Sequence, residues 1–206
     1  MILAIEAAST DPSVAVAAPD GALLGLDGWS STPRQAHELL PRLMALLVGC
    51  GGSVTRITAI AVGTGPGSFT GLRVAMSLAK GLAFALGVPI VGVPSLEAWL
   101  AAEPAAVGAA SRAGAREAYL LARDAAEPRI VDREDLPRHG RLVAPVELAA
   151  AFELEDSLSP VRAAGSVAAA AARRLRAKPG GDDLERLEPG YLRLPRGVPP
   201  ALAEGR

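Results

Sequence analysis

A glycine-rich segment, Gly63-Thr-Gly-Pro-Gly-Ser-Phe-Thr-Gly-Leu-Arg-Val74, contains the residues whose types and spacing could do chemistry. It follows an apolar run over residues 57–62 that predicts a β-strand, and it precedes an apolar helical pattern that ends near Gly87. A strand, a glycine-rich turn and a helix N-terminus together form a site where backbone N–H groups bind phosphate. The first hypothesis for this segment is therefore a phosphate-binding loop.

The two common phosphate-binding templates do not fit this segment. The Walker motif requires a lysine after its last glycine, whereas Leu72 and Arg73 follow Gly71. The dinucleotide fingerprint requires a third glycine where Ser68 stands, and no acidic residue follows until Glu97. The segment thus favours a role other than nucleotide binding.

The sequence also lacks the residue patterns that nucleophilic catalysis and metal binding require. A nucleophile elbow requires glycine two residues before and after the serine, but Pro66 and Thr70 occupy those positions around Ser68. Ser68 and Thr70 are instead predicted to cap the following helix. The only histidines, His37 and His139, are far apart in the sequence and belong to no Cys-His cluster. We therefore expect no catalytic residue and no metal site.

A row of small residues marks the helix that follows the loop. Gly71, Ala75, Ala79 and Ala83 recur every four residues, which places them on one side of a helix. Such a row lets another element approach closely. Two interpretations stay open: the row packs inside the chain's own core, or part of it faces a partner subunit.

The elements that would position these residues follow the order β-β-β-α-β-α-β-α. The predicted strands cover 2–5, 14–18, 23–26, 57–62 and 89–93, with a helix within 34–48 and another that begins at Ser95 as N-cap. Residues 103–114 are predicted to cross between two lobes. Beyond them, 118–122 and 129–131 are predicted as strands, and 145–153 and 161–178 as helices.

Composition indicates a cytoplasmic chain without a membrane span. The net charge of −1 exerts no long-range attraction on nucleic acid, and Cys50 is the only cysteine. The apolar stretch from Gly81 to Leu96 is interrupted by two prolines and is shorter than the about 20 residues that a membrane helix needs. A basic cluster at 173–178 suits either RNA phosphates or the end of a helix dipole.

Several short motifs match one known family: residues 65–73, 79–83, 92–97, 2–6 with Ser9 and Thr10, 37–41 and 189–193. On these motifs the sequence resembles the TsaB (YeaZ) family, closely over the first hundred residues and weakly over 105–185. The resemblance implies an α/β protein of the RNase H-like or actin-like ATPase (ASKHA) fold, with two lobes of mixed sheets flanked by helices. The lobes would be 1–104 and a shortened 105–206, with a flexible tail from about residue 195.

The resemblance also implies a function. The chain would be a non-catalytic scaffold and activator of the complex that makes N6-threonylcarbamoyladenosine next to the anticodon of tRNA. It would form a heterodimer with TsaD, to which TsaE then binds, and a homodimer in isolation. It would contact tRNA only through the complex and would have no cofactor of its own, while a nucleotide at the subunit boundary stays open.

The partner interface implied by this resemblance lies on the first two helices and the glycine-rich loop. Its expected residues are His37, Leu40, Met44, Gly65, Pro66, Gly67, Phe69, Gly71, Arg73, Ala75 and Met76. Two alternatives remain. One is an independent ASKHA-type small-molecule kinase or acyltransferase that uses the glycine-rich loop for phosphate. The other is a homodimeric structural protein with no TsaD partner.

Overall fold

Two five-stranded sheets form the framework of the protein. The computed structural model describes residues 1–30, 35–137 and 139–190 of the chain. The tail predicted from about residue 195 therefore lies outside the described residues. The predicted lobe boundary at residue 104 falls between the last strand of the first sheet and the first strand of the second.

The first sheet consists of β1 (Ile2–Glu6), β2 (Ser13–Ala17), β3 (Leu23–Gly28), β4 (Ala59–Gly63) and β5 (Ile90–Val93), in the spatial order β3-β2-β1-β4-β5. The three N-terminal strands pair antiparallel and form a meander. β4 then pairs parallel with β1, and β5 pairs parallel with β4. Each parallel pair requires a crossover, and helices supply both crossovers.

The helices among the described residues are α1 (Gln35–Gly49), α2 (Phe69–Leu86), α3 (Ser95–Ala102), α4 (Val146–Phe152) and α5 (Ala163–Ala177). α1 and α2 cover one face of the first sheet, and α5 covers the other. α5 belongs to the second half of the sequence, so the chain returns to the first sheet after building the second. The first sheet is consequently buried on both faces.

Side-chain alternation along β1 explains this arrangement. Leu3 and Ile5 point into the core beneath α1 and α2, whereas Ile2 and Ala4 point toward α5. The buried residues of α5 are nearly all alanine: Ala163, Ala164, Val167, Ala168, Ala171 and Ala172. Small side chains on both the strand and the helix allow the two backbones to approach closely. The alanine run near residue 170 is therefore a packing surface.

The second sheet contains β6 (Gly108–Arg112), β7 (Glu117–Ala122), β8 (Arg129–Asp132), β9 (Leu142–Val143) and β10 (Ser157–Leu158), in the order β10-β9-β6-β7-β8. The expectation that 103–114 only crosses between lobes is wrong, because β6 lies inside it. Its Gly-Ala-Ala-Ser sequence lacks the β-branched and aromatic residues that mark a strand. Pairing with β7 and β9 forms this strand despite its composition.

A buried carboxylate links the two halves. Asp11 follows β1 and is 1% exposed. It accepts hydrogen bonds from the Ser30 hydroxyl at 2.8 Å, the Val146 amide at 3.0 Å and the Ser159 hydroxyl at 2.8 Å. Two of these donors belong to the second half, at the start of α4 and just after β10. Asp11 therefore fixes the position of the second sheet relative to the first.

Helix α2 has an unusual composition for a surface helix. Within the part of the chain that the structure describes, it is the one helix long and apolar enough to cross a membrane by those two criteria. It lies on the first sheet, where 33% of its residues are buried. Further apolar residues of α2 are half-buried against the core, and one side of the helix remains exposed in the isolated chain.

Candidate functional site

The glycine-rich loop between β4 and α2 is held by other parts of the protein. The Gly65 amide donates to the Ser95 hydroxyl at 2.9 Å, and the Ser95 amide donates to the Gly65 carbonyl at 2.9 Å. The Ser68 amide donates to the Ala8 carbonyl at 2.6 Å. On the opposite side, the Ser111 hydroxyl donates to the Pro66 carbonyl at 2.9 Å. Amides that could have held a phosphate thus already have partners within the chain.

Gly67 is required because the loop touches the first turn of the chain. A Cβ at this position would overlap the Ala8 carbonyl oxygen and lie 2.8 Å from the Ala8 side chain. The loop thus occupies the space beside the turn that follows the first strand. The predicted contact of Gly65, Pro66 and Gly67 with a partner is untested, but Gly65 and Pro66 are buried.

The helix-capping predictions had different outcomes. Ser68 is the N-cap of α2, and its hydroxyl accepts a hydrogen bond from the Gly71 amide at 3.2 Å, as predicted. Thr70 does not cap, since it lies within the first turn of the helix. The prediction that Ser95 caps α3 is wrong: Pro94 occupies that position, and the Ser95 hydroxyl accepts from Gly65 instead.

A buried carboxyl group lies beneath the loop. Glu6 at the end of β1 is 1% exposed, and the Ala8 amide donates to its Oε1 at 2.8 Å. Its Oε2 has no well-formed hydrogen bond among the described residues. Burial raises the pKa of Glu6 to about 7, although hydrogen-bonding groups of Ala8, Ser95 and Trp99 oppose the shift. The group is enclosed by protein, so it can titrate but has no open path to a substrate.

Gly63 has no side chain, and this leaves room for the carboxyl group of Glu6 beneath the loop. A Cβ on Gly63 would overlap Oε2 of Glu6 and lie 2.8 Å from the Ser95 hydroxyl oxygen. The neighbouring indole nitrogen of Trp99 is also buried without a well-formed partner. The group of Glu6, Gly63, Ser95 and Trp99 was not foreseen from the sequence, because its members come from three separate segments.

The row of small residues on α2 faces the chain's own core. Ala75 and Ala79 are fully buried, Ala83 is 2% exposed, and all three pack in the apolar cluster beneath α1 and α2. Gly71 is buried as well, and Met76 is 5% exposed. Gly71, Ala75 and Met76 were expected at a partner interface; they are buried within this chain, and their contact with a partner stays a prediction. A row of small side chains on a helix can pack closely against either a sheet or another helix. Here the row of α2 packs against the first sheet.

The opposite side of α1 and α2 is exposed and partly apolar. We call it the outer face, and it consists of His37, Leu40, Val48, Phe69, Arg73, Ser77, Gly81, Phe84 and Ala85. Phe84 is 79% exposed and Val48 is 68% exposed. His37, Leu40, Phe69 and Arg73 were expected at an interface and are accessible for one, while Met44 is half-buried against the core.

Five members of the outer face were missed from the sequence. They lie on the side of their helices opposite the buried rows, and they are Val48, Ser77, Gly81, Phe84 and Ala85. The helical period could have identified them once the buried row of each helix was known. Arg73 extends the surface toward the loop, with its guanidinium stacked 4.0 Å from the centre of the Phe69 ring.

Other chemical groups are engaged in structural contacts. In the basic cluster, Arg174 pairs with Asp182 at 2.8 Å, and Arg176 donates to the Asp20 carbonyl at 3.0 Å. Two of its cations are thus tied to the protein itself. Across the ranges 1–30, 35–137 and 139–190, no three His, Cys, Asp or Glu side chains are grouped as metal ligands would be.

A groove of about 740 Å³ lies in the second half, and His139 lines it. Among its charged residues, Arg116 pairs with Glu134 at 3.5 Å and Arg133 pairs with Glu153. The lining contains two arginines and the carboxylates of Glu134, Glu153, Glu155 and Asp156, so acidic groups are in excess. It is formed by residues 115–156 and does not include the glycine-rich loop.

Known proteins resemble this chain in sequence and structure. The Escherichia coli K12 protein described as tRNA threonylcarbamoyladenosine biosynthesis protein TsaB is 40% identical over 96 residues, which are 46% of this chain and 40% of that protein. The solved structure of YeaZ from Pseudomonas aeruginosa superposes with a TM-score of 0.67 at 25% identity, covering 93% of this chain and 99% of that one. These likenesses support membership of the TsaB (YeaZ) family. The fold of the chain is the RNase H-like, ASKHA-type α/β fold that the motifs implied.

A second likeness extends beyond this family. The family model described as TsaD, tRNA N6-adenosine threonylcarbamoyltransferase, matches residues 32–133. A Solidesulfovibrio magneticus protein of that description is 45% identical over 66 residues, which are 32% of this chain and 18% of that protein. The chain spans less than half the length of the curated TsaB and transferase relatives. The region that resembles the transferase includes all of α1 and all of α2.

Proposed function

We propose that this chain is a non-catalytic subunit of the machinery that forms N6-threonylcarbamoyladenosine in tRNA. In this proposal it docks through the outer face of α1 and α2 on a TsaD-type transferase and holds that enzyme in its active form. The similarity to a tRNA threonylcarbamoyladenosine biosynthesis protein and to a tRNA threonylcarbamoyltransferase supports a role in this modification. The observation that carries the docking role is the exposed apolar surface of two helices that otherwise pack on the core.

The composition of the outer face supports helix-to-helix docking. Phe69 and Phe84 supply large apolar groups near the two ends of α2, and aromatic residues are enriched at protein interfaces. Along the same helix, Ser77, Gly81 and Ala85 recur every four residues and are exposed. A Cβ added to Gly81 would meet no atom within 4 Å, so the space above it is open. A partner helix could approach closely along this second small row.

The likeness to TsaD-type proteins supports the choice of partner. Related chains that share a helical surface can pair about a pseudo-two-fold axis, as identical chains pair about a true one. The matched region, residues 32–133, contains the described outer face. The same surface would allow the chain to self-associate when the transferase is absent. TsaE would then bind the assembled pair, and tRNA would contact this chain only through the complex, in the cytoplasm.

The geometry of the loop supports a non-catalytic role and disfavours an independent kinase or acyltransferase. Gly67 packs against the Ala8 carbonyl where a phosphate would have to lie. The amides of Gly65 and Ser68 donate within the chain, and the carboxyl of Glu6 is enclosed. A nucleotide could enter this site only if the loop moved away from three neighbouring elements.

A reconstitution experiment tests the proposal. Purified chain, a TsaD-type transferase, TsaE and unmodified tRNA are combined with threonylcarbamoyl-adenylate, and the modified nucleoside is measured by mass spectrometry. We expect formation of the nucleoside to depend on this chain, and light scattering to detect a heterodimer with the transferase. Full activity without the chain, or tight ATP binding by the chain alone, would contradict the proposal.

A further inference from the structure

Residues 181–190, which we call the strap, run along the open edge of the first sheet. The chain leaves α5 and turns at Gly181, whose φ of +70° is in the left-handed region. The Asp182 amide then donates to the Ile90 carbonyl at 2.8 Å, and the Gly92 amide donates to Asp182 Oδ2 at 2.8 Å. The strap thus covers the edge of β5, which has no neighbouring strand on that side.

Side chains from three elements hold the strap in place. Arg174 of α5 donates to Asp182 Oδ1 at 2.8 Å and also to the Gly92 carbonyl. Leu187 lies beside Gly92, where a Cβ would be 2.6 Å from its methyl group. Lys80 of α2 donates to the Glu185 carbonyl at 3.1 Å. The carboxylate of Asp182 is the point where α5, β5 and the strap meet.

The strap ends at the glycine-rich loop. The Gly190 amide donates to the Thr64 carbonyl at 2.7 Å, and the Thr64 amide donates to the Val93 carbonyl at 2.8 Å. Thr64 precedes Gly65 in the glycine-rich connection, which leads to Phe69 of the outer face, the first residue of α2. Hydrogen bonds and short stretches of backbone therefore connect Asp182 with the start of the helix that carries the outer face.

We propose that the strap positions the glycine-rich loop and the N-terminal turn of α2, with Asp182 as the positioning residue. This inference rests on the proposed docking role, because that role gives the position of Phe69 and Arg73 its functional meaning. A strap that only protected the edge of β5 would need its contacts to Ile90 and Gly92. It would not need the contacts to Lys80 and Thr64.

Hydrogen exchange of the full chain tests the strap. Asp182→Ala removes two charge-assisted hydrogen bonds, so amide exchange in residues 64–72 should become about tenfold faster. Asp182→Asn retains an acceptor for the Gly92 amide and should restore part of the protection. Glu185→Ala is the matched control, because the strap uses the Glu185 carbonyl and not its side chain. Its exchange should equal that of the parent.

The outcomes separate this inference from the proposed function. Faster exchange in 64–72 together with weaker binding of Asp182→Ala to a TsaD-type transferase would support both. If the parent chain does not bind the transferase, the docking role fails, while exchange in 64–72 still reports on the strap. Faster exchange in residues 90–93 alone, with 64–72 unchanged, would overturn the inference and leave the strap as edge protection.

Discussion

Gly81 lies within the outer face, and its replacement separates docking from folding. A Cβ at this position meets no atom within 4 Å in the isolated chain. Glycine inside a helix destabilises it by roughly 0.5–1 kcal/mol relative to alanine. Gly81→Ala should therefore raise the free energy of unfolding by about that amount and the melting temperature by about 1–4 °C.

A larger side chain at the same position should act on binding alone. Gly81→Trp places an indole where the axis of a partner helix must approach to about 8–10 Å. Overpacking of a contact costs about 1–3 kcal/mol, which corresponds to about fivefold to 150-fold weaker binding. Calorimetric titration of a TsaD-type transferase with the parent, Gly81→Ala and Gly81→Trp measures this effect, and thermal unfolding of each lone chain confirms folding.

The control is a tryptophan placed outside the outer face. Ala150 is exposed on α4 in the second half of the chain, so Ala150→Trp should bind the transferase as the parent does. If Gly81→Trp folds normally and also binds with the parent's affinity, the outer face is not the docking surface. The reasoning from its exposed apolar residues would then be refuted.

Three further predictions concern buried positions. Ala75→Leu should lower the free energy of unfolding by about 1–3 kcal/mol in denaturant titration, because it overpacks the contact of α2 with the sheet. Burial raises the pKa of Glu6 from its ordinary 4.5 to about 7, so between these values the folded chain retains a proton that the unfolded chain has lost. The free energy of unfolding should then fall by about 3 kcal/mol from pH 4.5 to 7, and Glu6→Gln should abolish this slope. Asp11→Ala leaves three donors without their acceptor and should destabilise by about 3 kcal/mol, as measured by thermal unfolding.

Each of these has an outcome that contradicts it. Unchanged unfolding of Ala75→Leu would mean that the small row is not closely packed. The same pH slope in the parent and in Glu6→Gln would assign the titration to another group. An Asp11→Ala chain as stable as the parent would show that the two halves are joined by other contacts.

The order of elements in the first half could be predicted because each element has a local signal. Turn residues at 19–21 separate β2 from β3, and the glycine-rich segment marks the passage from β4 to α2. Ser68 was identified as a cap for the same reason, since capping involves neighbours in sequence. The family motifs added the overall fold, which local patterns alone do not determine.

The orientation of α2 could not be predicted, because it depends on contacts between distant residues. The row of Ala75 and Ala79 has the composition of a helix interface, yet it packs on strands that are separate in sequence. The return of α5 to the first sheet and the enclosure of Glu6 beside Trp99 are also long-range effects. β6 was missed because its small residues resemble those of a linker, and pairing with its neighbours determines its structure.

The docking surface is tested most directly by hydrogen exchange of the chain with and without a TsaD-type transferase. The account predicts that binding slows exchange in α1 and α2, over residues 37–48 and 69–86, and leaves β7, β8 and α4 unchanged. Protection confined to the second half of the chain, with α1 and α2 exchanging as in the free protein, would contradict it.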